Sequence, residues 1–519
     1  MQQPWKIHKF GGTSVLNAER YQNVYEILKK QTDVDAAFGR QAIVVSAMKG
    51  TTDDLIKAVE LARSNDENYK NLLQKIQDRH VLEISNLLHG EQKTEFLQIL
   101  NTDFNKLTEI LRGVWLVKNS SDRIIEMVSG MGEVWSAQIL NSYFQQQGQS
   151  SQWLDARDVL VVEHINQRVV VDWEKSHINF DNWKKQNTQD RIIITGYVAA
   201  LDDGTVTTLG RNGSDYSASI FGILFNSDEI FIWTDVDGVL SADPRLEPEA
   251  IVLDEMSYNE VMELAYFGAK VIHPATILPA IKSNIPIWIK NTFNPDFKGT
   301  KIHKNAKSDR VVKGFSTIDK MALFNIEGTG MVGIPGVAER LFGALRAQAI
   351  NVVLISQASS EQSICFIISA EKSLVAKRVI EEAFYGELQK GLIQSIQIQN
   401  EVSILAAVGD SMAYSPGVAG QFFSALGLAR INVRAIAQGS SERNISAVID
   451  TRDAIKALRI VHSSFILPRQ RISVGLIGVG LIGGTFLKQL HEHLEELRTQ
   501  KHIEVQVRAI ADSKKMLLS

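Results

Sequence analysis

The segment KFGGTSV, residues 9–15, places a lysine and paired glycines directly after an alternating apolar run. Paired glycines let backbone amides approach an anion closely, and the N-terminus of a following helix adds positive potential. The ammonium group of Lys9 supplies a point charge for phosphate oxygens. The spacing is not that of a GxxxxGK[ST] P-loop. The pattern therefore indicates a phosphate-binding turn formed by Lys9, Gly11 and Gly12, and a plain strand-to-helix turn is the alternative.

A second polar cluster lies in TTLGRNGSDYSA, residues 207–218. An arginine held between glycines, as Arg211 is, can clamp a carboxylate or a phosphate with two parallel hydrogen bonds. Asp215 opens a helical pattern, so it either caps that helix or orients a catalytic lysine or a magnesium ion.

A third cluster lies in WTDVDGVLSADPR, residues 233–245. An apolar strand ends at Thr234 and Asp235, and Arg245 follows a turn. This order fits the rim of a nucleotide site, with Arg245 near phosphates. The DVDG tetrapeptide alone is more typical of a tight turn, and it lacks the rest of an EF-hand loop.

The elements that must position these residues are short apolar strands alternating with helical patterns. The strand segments are WKIHKF, QAIVVSAM, RIIITGYVAA, EIFIWTDVDGV and IPIWIKNT. Such runs are typical of buried parallel strands, and their alternation with helices predicts an α/β fold with a mainly parallel sheet. We assign residues 1–305 to this domain.

An internal repeat follows, since residues 334–368 align without a gap with residues 415–449. The offset is constant, as the pairs Pro335 with Pro416 and Asn351 with Asn432 illustrate. Each copy has the pattern turn, helix, strand, polar turn, strand. Two copies are too few for a solenoid, so the repeat predicts two α+β modules side by side within residues 306–467.

Composition narrows the class of protein. A chain of 519 residues is expected to form roughly three or four domains. The net charge of −4 argues against a nucleic-acid surface. One cysteine excludes an intrachain disulfide. No apolar run approaches the length of a membrane span, and no signal peptide is predicted. We therefore expect a cytoplasmic protein without nucleic-acid or membrane partners.

The three polar clusters together resemble the aspartokinases, within the amino-acid kinase superfamily. VSAMKGTTDDL, VSGMGEVWSA and MSYNEVMELAYFGAKVIHP extend the match over residues 5–305. The resemblance implies phosphoryl transfer from ATP, with Mg²⁺, to L-aspartate, and no metal ligand is firmly assigned. The implied catalytic residues are Lys9, Arg211 and Asp215; the implied ATP-binding residues are Lys9, Gly11, Gly12, Thr234, Asp235, Arg245 and Lys270; the implied aspartate-binding residues are Thr52, Glu133, Tyr197 and Arg211.

Two residues depart from the family pattern. Asn212 stands where a glycine is commoner, which matters only if its backbone needs a glycine conformation. Leu240 stands where many relatives carry a tyrosine near the adenine, so aromatic stacking there is lost. The aspartate side chain, with a pKa near ~3.9, is already ionised and needs no general base. Alignment and charge neutralisation are therefore expected to carry the reaction.

The repeated modules resemble ACT domains, the amino-acid-binding regulators of biosynthetic enzymes. Gln357 and Gln438 end equivalent strands, and an amide suits an amino-acid effector because it both donates and accepts hydrogen bonds. Exposed glutamines on two structural modules are the alternative. Within the family, the motif pair resembles the threonine-sensitive, bifunctional subgroup, which implies L-threonine as inhibitor. Paired ACT modules also imply a homo-oligomer, a dimer or a tetramer.

Residues 468–519 contain a dinucleotide fingerprint after a strand and before a helix, formed by Gly478, Gly480 and Gly483. Bifunctional aspartokinases continue here into homoserine dehydrogenase, which implies NADP(H) only for the full-length enzyme. About fifty residues cannot cover both faces of a parallel sheet. We therefore expect a truncated Rossmann segment without dehydrogenase activity, poorly ordered or packed on a neighbour.

Several rival functions stay open from sequence. The chain could be a lysine-regulated or unregulated aspartokinase, or a superfamily kinase with another acceptor. A nicotinamide-dependent oxidoreductase and a sensor without catalysis are the rivals from other classes, and the intact kinase motifs weigh against both.

Overall fold

The computed structural model describes residues 4–34, 39–165, 168–269, 272–307, 310–329, 334–357, 362–466, 470–499 and 503–518. By its contacts the chain divides into two compact units. The first contains most residues up to Lys307 and the second contains the chain beyond it.

The first unit is built on an eight-stranded sheet whose buried strands are the predicted apolar runs. The strands of this unit are β1 (Trp5–Phe10), β2 (Arg40–Val45), β3 (Gln152–Leu154), β4 (Val162–Ile165), β5 (Arg168–Val171), β6 (Arg191–Thr195), β7 (Val198–Ala200), β8 (Val206–Thr208), β9 (Ser227–Thr234), β10 (Glu255–Met256), β11 (Ile287–Asn291) and β12 (Thr300–Ile302). The sheet order is β10-β12-β11-β9-β1-β2-β6-β3, and β4-β5 and β7-β8 form separate pairs. Within the sheet, β11-β12 alone is antiparallel among the described pairs, so the predicted mainly parallel α/β fold is confirmed.

Helices cover this sheet. They are α1 (Ala18–Val34), α2 (Thr51–Arg63), α3 (Asn68–Leu87), α4 (Gly90–Val117), α5 (Asp122–Ser129), α6 (Met131–Gln146), α7 (Trp173–Gln186), α8 (Gly213–Leu224), α9 (Tyr258–Tyr266) and α10 (Pro274–Lys282). The apolar faces of α1 to α6 pack in one core with the central strands, in which Trp135 and Phe10 are fully buried. Strand β1 lies between β2 and β9, so the carboxyl ends of these three strands meet at one edge.

The second unit contains the two predicted modules. Its repeated elements are β13 (Gly314–Glu327), α11 (Val337–Ala347), β14 (Leu354–Gln357), β15 (Ser363–Ser369) and α12 (Ser373–Ala383), a short α13 (Tyr385–Gln389), and then β16 (Ser395–Val408), α14 (Val418–Leu428), β17 (Ala435–Gln438), β18 (Asn444–Asp450) and α15 (Ala454–Ile466). Each element of the second copy begins 81 residues after its counterpart, as Gly314 and Ser395 illustrate. The copies share one antiparallel sheet, β14-β15-β13-β16-β18-β17, so the predicted side-by-side modules are confirmed.

One segment of the predicted first domain belongs to the second unit. Ser241–Ile251 groups with the repeats rather than with its sequence neighbours. Ala242 lies in the core of the second repeat beside Phe315. The buried His462 on α15 hydrogen-bonds Ser241 Oγ at 2.9 Å through Nε2, and Arg459 Nε donates to the carbonyl of Leu246 at 2.7 Å. The segment that carries Arg245 is therefore held by the second repeat.

The last residues form β19 (Gln470–Ile477), α16 (Leu481–Thr499), β20 (Ile503–Ala511) and β21 (Met516–Leu518). Strands β19 and β20 are parallel and β21 is antiparallel to β20. In this segment Leu481 and Ile482 are 89% and 86% exposed. Among the helices in the described part of the chain, none combines the length and apolarity needed to cross a bilayer.

Candidate active site

The backbone of the glycine turn after β1 packs directly against the backbone of the loop after β2. The amide of Lys49 donates to the carbonyl of Gly12 at 3.1 Å. A Cβ on Gly12 would lie 2.9 Å from the carbonyl oxygen of Ala47 and 3.2 Å from Lys49 Cα. Helix α1 begins at Ala18, so several turn residues separate the paired glycines from the predicted helix. The turn must present its own amides rather than a helix end.

We expect Gly12→Ala to lower the free energy of unfolding by about 1–3 kcal/mol, because overpacking against backbone forces the two loops apart. Chemical denaturation measures this change. Gly113→Ala is the matched control: outside its own helical turns, no heavy atom of the described residues lies within 4 Å of its Cβ position in α4, so alanine there should stabilise by about 1 kcal/mol. Equal effects at both sites would contradict the close packing.

Lys9 forms an ion pair at the carboxyl end of the central strand. Its Nζ lies 2.7 Å from Asp215 Oδ1, and the two side chains are 11% and 16% exposed. Asp215 lies in the first turn of α8. Of the roles open from sequence, this distance favours orientation of the lysine over capping of the helix.

Residues 210–213 form a tight turn that starts α8. Gly210 has φ +75° and Asn212 has φ +59°, both in the left-handed region. Asparagine tolerates this region better than most residues, so the departure at Asn212 keeps the backbone conformation that a glycine would allow. Arg211, between them, is exposed.

Tyr197 is held in a left-handed conformation (φ +71°) beside this turn. Its amide donates to Ser217 Oγ at 3.0 Å and its carbonyl accepts from the Leu209 amide at 2.8 Å. Its hydroxyl lies 3.5 Å from Ser129 Oγ. A Cβ on Gly213 would lie 2.7 Å from the tyrosine ring. Such strain persists only where surrounding contacts fix it, and it is common at functional sites.

Glu133 is a buried acid facing Thr52. Thr52 Oγ1 donates to Glu133 Oε1 at 3.4 Å, and the glutamate is 4% exposed. Its Oε2 has no hydrogen-bond partner among the described residues. Burial raises the pKa of Glu133 to about 8, although backbone amides and Thr52 favour the ionised form. Glu133 is therefore largely protonated at neutral pH, and a cationic group placed beside Oε2 would favour its ionised form.

The rim formed by the end of β9 includes a residue that sequence reasoning missed. Thr234 Oγ1 donates to Asp235 Oδ1 at 3.2 Å. Thr292, just after the parallel neighbour β11, donates its amide to the Thr234 carbonyl at 2.9 Å, and its hydroxyl lies 2.7 Å from the buried Ser14 Oγ. The signal was the Asn-Thr pair that ends the apolar run IPIWIK.

The described contacts of the Arg245 guanidinium are local. The Arg245 guanidinium pairs with Asp243, with Nε at 3.0 Å and Nη2 at 2.5 Å from its carboxylate, and this pair raises the pKa of Arg245. Lys270 lies outside the described residues. Leu240 forms a bridge with Val252.

The acidic residues of this site would suit a magnesium ion that is bound together with a nucleotide. Among the described residues, no three His, Cys, Asp or Glu side chains cluster to hold a metal. Mg²⁺ is commonly held by one or two carboxylates together with substrate phosphates, and Asp235 at the end of β9 is an exposed carboxylate. The donor set therefore suits a magnesium ion that arrives with a nucleotide.

Comparison with known proteins decides the family. The sequence profile of the amino acid kinase family matches residues 4–291, more than half of the 519 residues. The chain belongs to the amino acid kinase family. The ACT domain profile matches twice, over residues 324–384 and 405–465, so the second unit carries the predicted ACT pair.

Within this family the chain is similar to aspartokinases throughout. It is 42% identical to the bifunctional aspartokinase/homoserine dehydrogenase 2, chloroplastic, of Arabidopsis thaliana, over 99% of this chain and 56% of that protein. The bifunctional enzyme of Haemophilus influenzae is 36% identical, over 99% of this chain and 63% of that protein. The chain thus spans about six tenths of these relatives. The aspartate kinase structure of Clostridium acetobutylicum has a TM-score of 0.74 at 25% identity, covering 89% of this chain and 100% of that one.

The ACT pair of this amino acid kinase places the two candidate effector residues at equivalent positions. Gln357 and Gln438 end the edge strands β14 and β17, and both are exposed. Ser356 Oγ donates to the carbonyl of Ile436 at 3.1 Å, so the two strands that carry the glutamines approach each other.

The glycine fingerprint of this amino acid kinase runs from the turn after β19 into the first turn of α16, in the predicted strand-turn-helix context. Gly478 has φ +95°, and a Cβ on Gly483 would lie 2.0 Å from the Gly478 carbonyl oxygen, so Gly483 admits close strand-helix packing. Gly480 precedes the first residue of α16. Asp512 accepts from the amides of Lys514 and Lys515, which assigns its carboxylate to the turn before β21.

Proposed function

We propose that this chain transfers the γ-phosphoryl group of ATP to the side-chain carboxylate of L-aspartate, giving ADP and 4-phospho-L-aspartate. The observation that carries the proposal is the 2.7 Å pair of Lys9 with Asp215. It lies at the sheet edge where ligands of α/β folds bind. The sequence similarity to bifunctional aspartokinases, which extends over 99% of this chain, supports the same reaction.

The mechanism follows from charge. The aspartate carboxylate is ionised near neutral pH, so no general base is required. Lys9, oriented by Asp215, neutralises the charge on the transferring phosphoryl group, while Gly11 and Gly12 present backbone amides to phosphate. Bound magnesium, carried with the nucleotide, supplies further neutralisation of phosphate charge.

The acceptor is held by groups that match an amino acid. Glu133 Oε2, buried and without a hydrogen-bond partner among the described residues, would pair with the ammonium group. Thr52 and Tyr197 would line the same side, and Arg211 would grip a carboxylate. Thr234, Asp235, Arg245 and Lys270 are proposed for ATP. A uridylate or carbamate acceptor lacks the ammonium group, which makes these acceptors the weaker alternatives.

A coupled assay of ADP release tests the function and separates its rivals. We expect turnover with ATP, Mg²⁺ and L-aspartate, and none above background with L-glutamate, carbamate or UMP. Turnover with another acceptor alone would overturn the substrate. NADPH oxidation with aspartate semialdehyde would show a dehydrogenase in this chain, which we do not expect.

We propose that L-threonine inhibits the kinase through the ACT pair, with lysine regulation or no regulation as alternatives. An effector shifts an equilibrium only by its preference for one state. Helix α15 holds Ser241–Ile251 through hydrogen bonds of His462 and Arg459. These bonds connect the second ACT repeat to the segment that carries Arg245. A homo-oligomer, dimer or tetramer, formed through the ACT modules in the cytoplasm is part of this proposal.

We expect Gln357→Ala and Gln438→Ala each to raise the threonine concentration for half-inhibition about tenfold, as the loss of one hydrogen bond to a charged ligand predicts. The measurement is kcat with increasing L-threonine, and with L-lysine in parallel. Gln397→Ala, which alters an exposed glutamine on β16 of the same sheet, is the control and should leave inhibition unchanged. Wild-type inhibition in both variants would remove the site.

A further inference from the structure

Helix α3 contacts two loops that the sequence gives no reason to connect with it. We name residues 11–17, after β1, the phosphate loop, and residues 46–50, after β2, the acceptor loop, because α2 with Thr52 follows it directly. Arg79 Nη1 donates to the Lys49 carbonyl at 2.9 Å, and Arg79 Nη2 donates to the Leu16 carbonyl at 3.1 Å. One guanidinium therefore joins both loops.

The fork of the guanidinium suits this task. Its amino groups lie in one plane and point in fixed directions, so two carbonyls bound to them are held at a fixed separation. The loops touch directly through the Lys49 amide and the Gly12 carbonyl at 3.1 Å. Arg79 binds the Lys49 carbonyl, so both backbone polar groups of Lys49 are held.

The rest of α3 is anchored to the same site. Glu83, one turn after Arg79, accepts from the Ala18 amide at 2.8 Å and so holds the start of α1, directly after the phosphate loop. The buried His80 packs edge-on against Trp135 with ring centroids 5.0 Å apart. Trp135 lies on α6, two residues after Glu133. Helix α3 thus contacts the phosphate loop, the acceptor loop, the start of α1 and helix α6.

We propose that Arg79 is a positioning residue that sets the separation of the phosphate loop and the acceptor loop, and so aligns the carboxylate of the acceptor with the γ-phosphoryl group. The proposal rests on the kinase function proposed above. In this proposal Arg79 acts through the Lys49 and Leu16 carbonyls that it binds. Its role is to keep the acceptor and the donor within the short range that in-line transfer requires, where a displacement of about 1 Å can cost about 100-fold in rate.

The test compares Arg79→Met and Arg79→Lys with the wild-type full chain, using steady-state kinetics with both substrates. We expect Arg79→Met to lower kcat by about 10- to 100-fold while KM for ATP and for aspartate each change by less than about threefold. Arg79→Lys should recover part of kcat, because an ammonium group can still reach one carbonyl. Arg112→Met is the control, since Arg112 on α4 is exposed and pairs at 3.9 Å with Glu109; it should match the wild type.

Two results for Arg79→Met would overturn the proposal. Unchanged kcat in Arg79→Met, or a rise in both KM values with kcat unchanged, overturns the proposal. If Arg79→Met fails to fold, as judged by thermal unfolding, Arg79→Lys decides, and kcat within about twofold of the wild type overturns it. A wild-type chain that forms no aspartyl phosphate sinks the kinase proposal instead, which keeps the two failures apart.

Discussion

Lys9→Ala is expected to lower kcat about 10³-fold, the largest effect we foresee for a single substitution. Removing one preorganised charge from a site where charge develops typically costs 10²- to 10³-fold. Lys9 stands at the end of the central strand with Asp215 at 2.7 Å, so its ammonium group is held before the nucleotide arrives. KM for aspartate should change little, because Lys9 is assigned to phosphate.

The matched control for Lys9 is Lys6→Ala on the same strand. The Lys6 side chain is similarly buried, at 13% exposed, and lies 3.8 Å from Glu229. Glu229 keeps Lys301 at 3.3 Å and Trp288 at 3.0 Å as partners, so the control should fold and retain kcat. Near wild-type turnover in a folded Lys9→Ala variant would remove Lys9 from the catalytic role.

Glu133→Gln is expected to lower kcat/KM for aspartate about 100-fold. Breaking a buried charge pair costs about 3–5 kcal/mol, and the side-chain amide of the glutamine recovers part of this free energy. The ammonium group of aspartate would meet a neutral side chain instead of Glu133 Oε2. The effect should fall on KM rather than on kcat, since the ammonium group takes no part in bond making. Steady-state kinetics with varied aspartate measures this split.

The raised pKa of Glu133 adds a pH dependence with a definite sign. Burial raises this pKa to about 8 in the folded state from its ordinary value of 4.5. Between these values the folded state binds more protons than the unfolded state, so the free energy of unfolding falls as the pH rises through this window. Aspartate binding needs the ionised form, so affinity should improve about tenfold per pH unit from pH 6 toward pH 8.

Glu133→Gln should flatten both pH profiles. The control is Glu260→Gln, which alters another buried carboxylate, 3% exposed, that accepts from the Ser257 amide. That variant should keep the pH dependence of aspartate affinity. A Glu133→Gln variant with the wild-type slope would contradict the assignment of this glutamate.

The sequence predicts the fold of this protein well because local patterns and topology agree. Buried apolar runs mark the strands, and the gapless repeat marks the two ACT modules. The sequence also marks Asn212 as a departure that matters only if its backbone needs a glycine conformation, and the structure gives it φ +59°.

What sequence could not predict depends on contacts between distant residues. The pKa of Glu133 follows from burial that assembled elements create. Arg79 lies on an amphipathic helix where nothing local sets it apart from other surface arginines, yet it bonds Leu16 and Lys49. The grouping of Ser241–Ile251 with the second repeat depends on α15, more than 200 residues later. Chain order alone assigned that segment to the first domain.

Trapping of the product with hydroxylamine tests the central claim most directly. An acyl phosphate reacts with hydroxylamine to give a hydroxamate, so the trapped product reports which carboxylate received the phosphoryl group. The account predicts that the chain, given ATP, Mg²⁺ and L-aspartate, forms the side-chain hydroxamate of aspartate in an amount equal to the ADP released. ADP release without any hydroxamate, or a hydroxamate formed from another acceptor but not from aspartate, would contradict it.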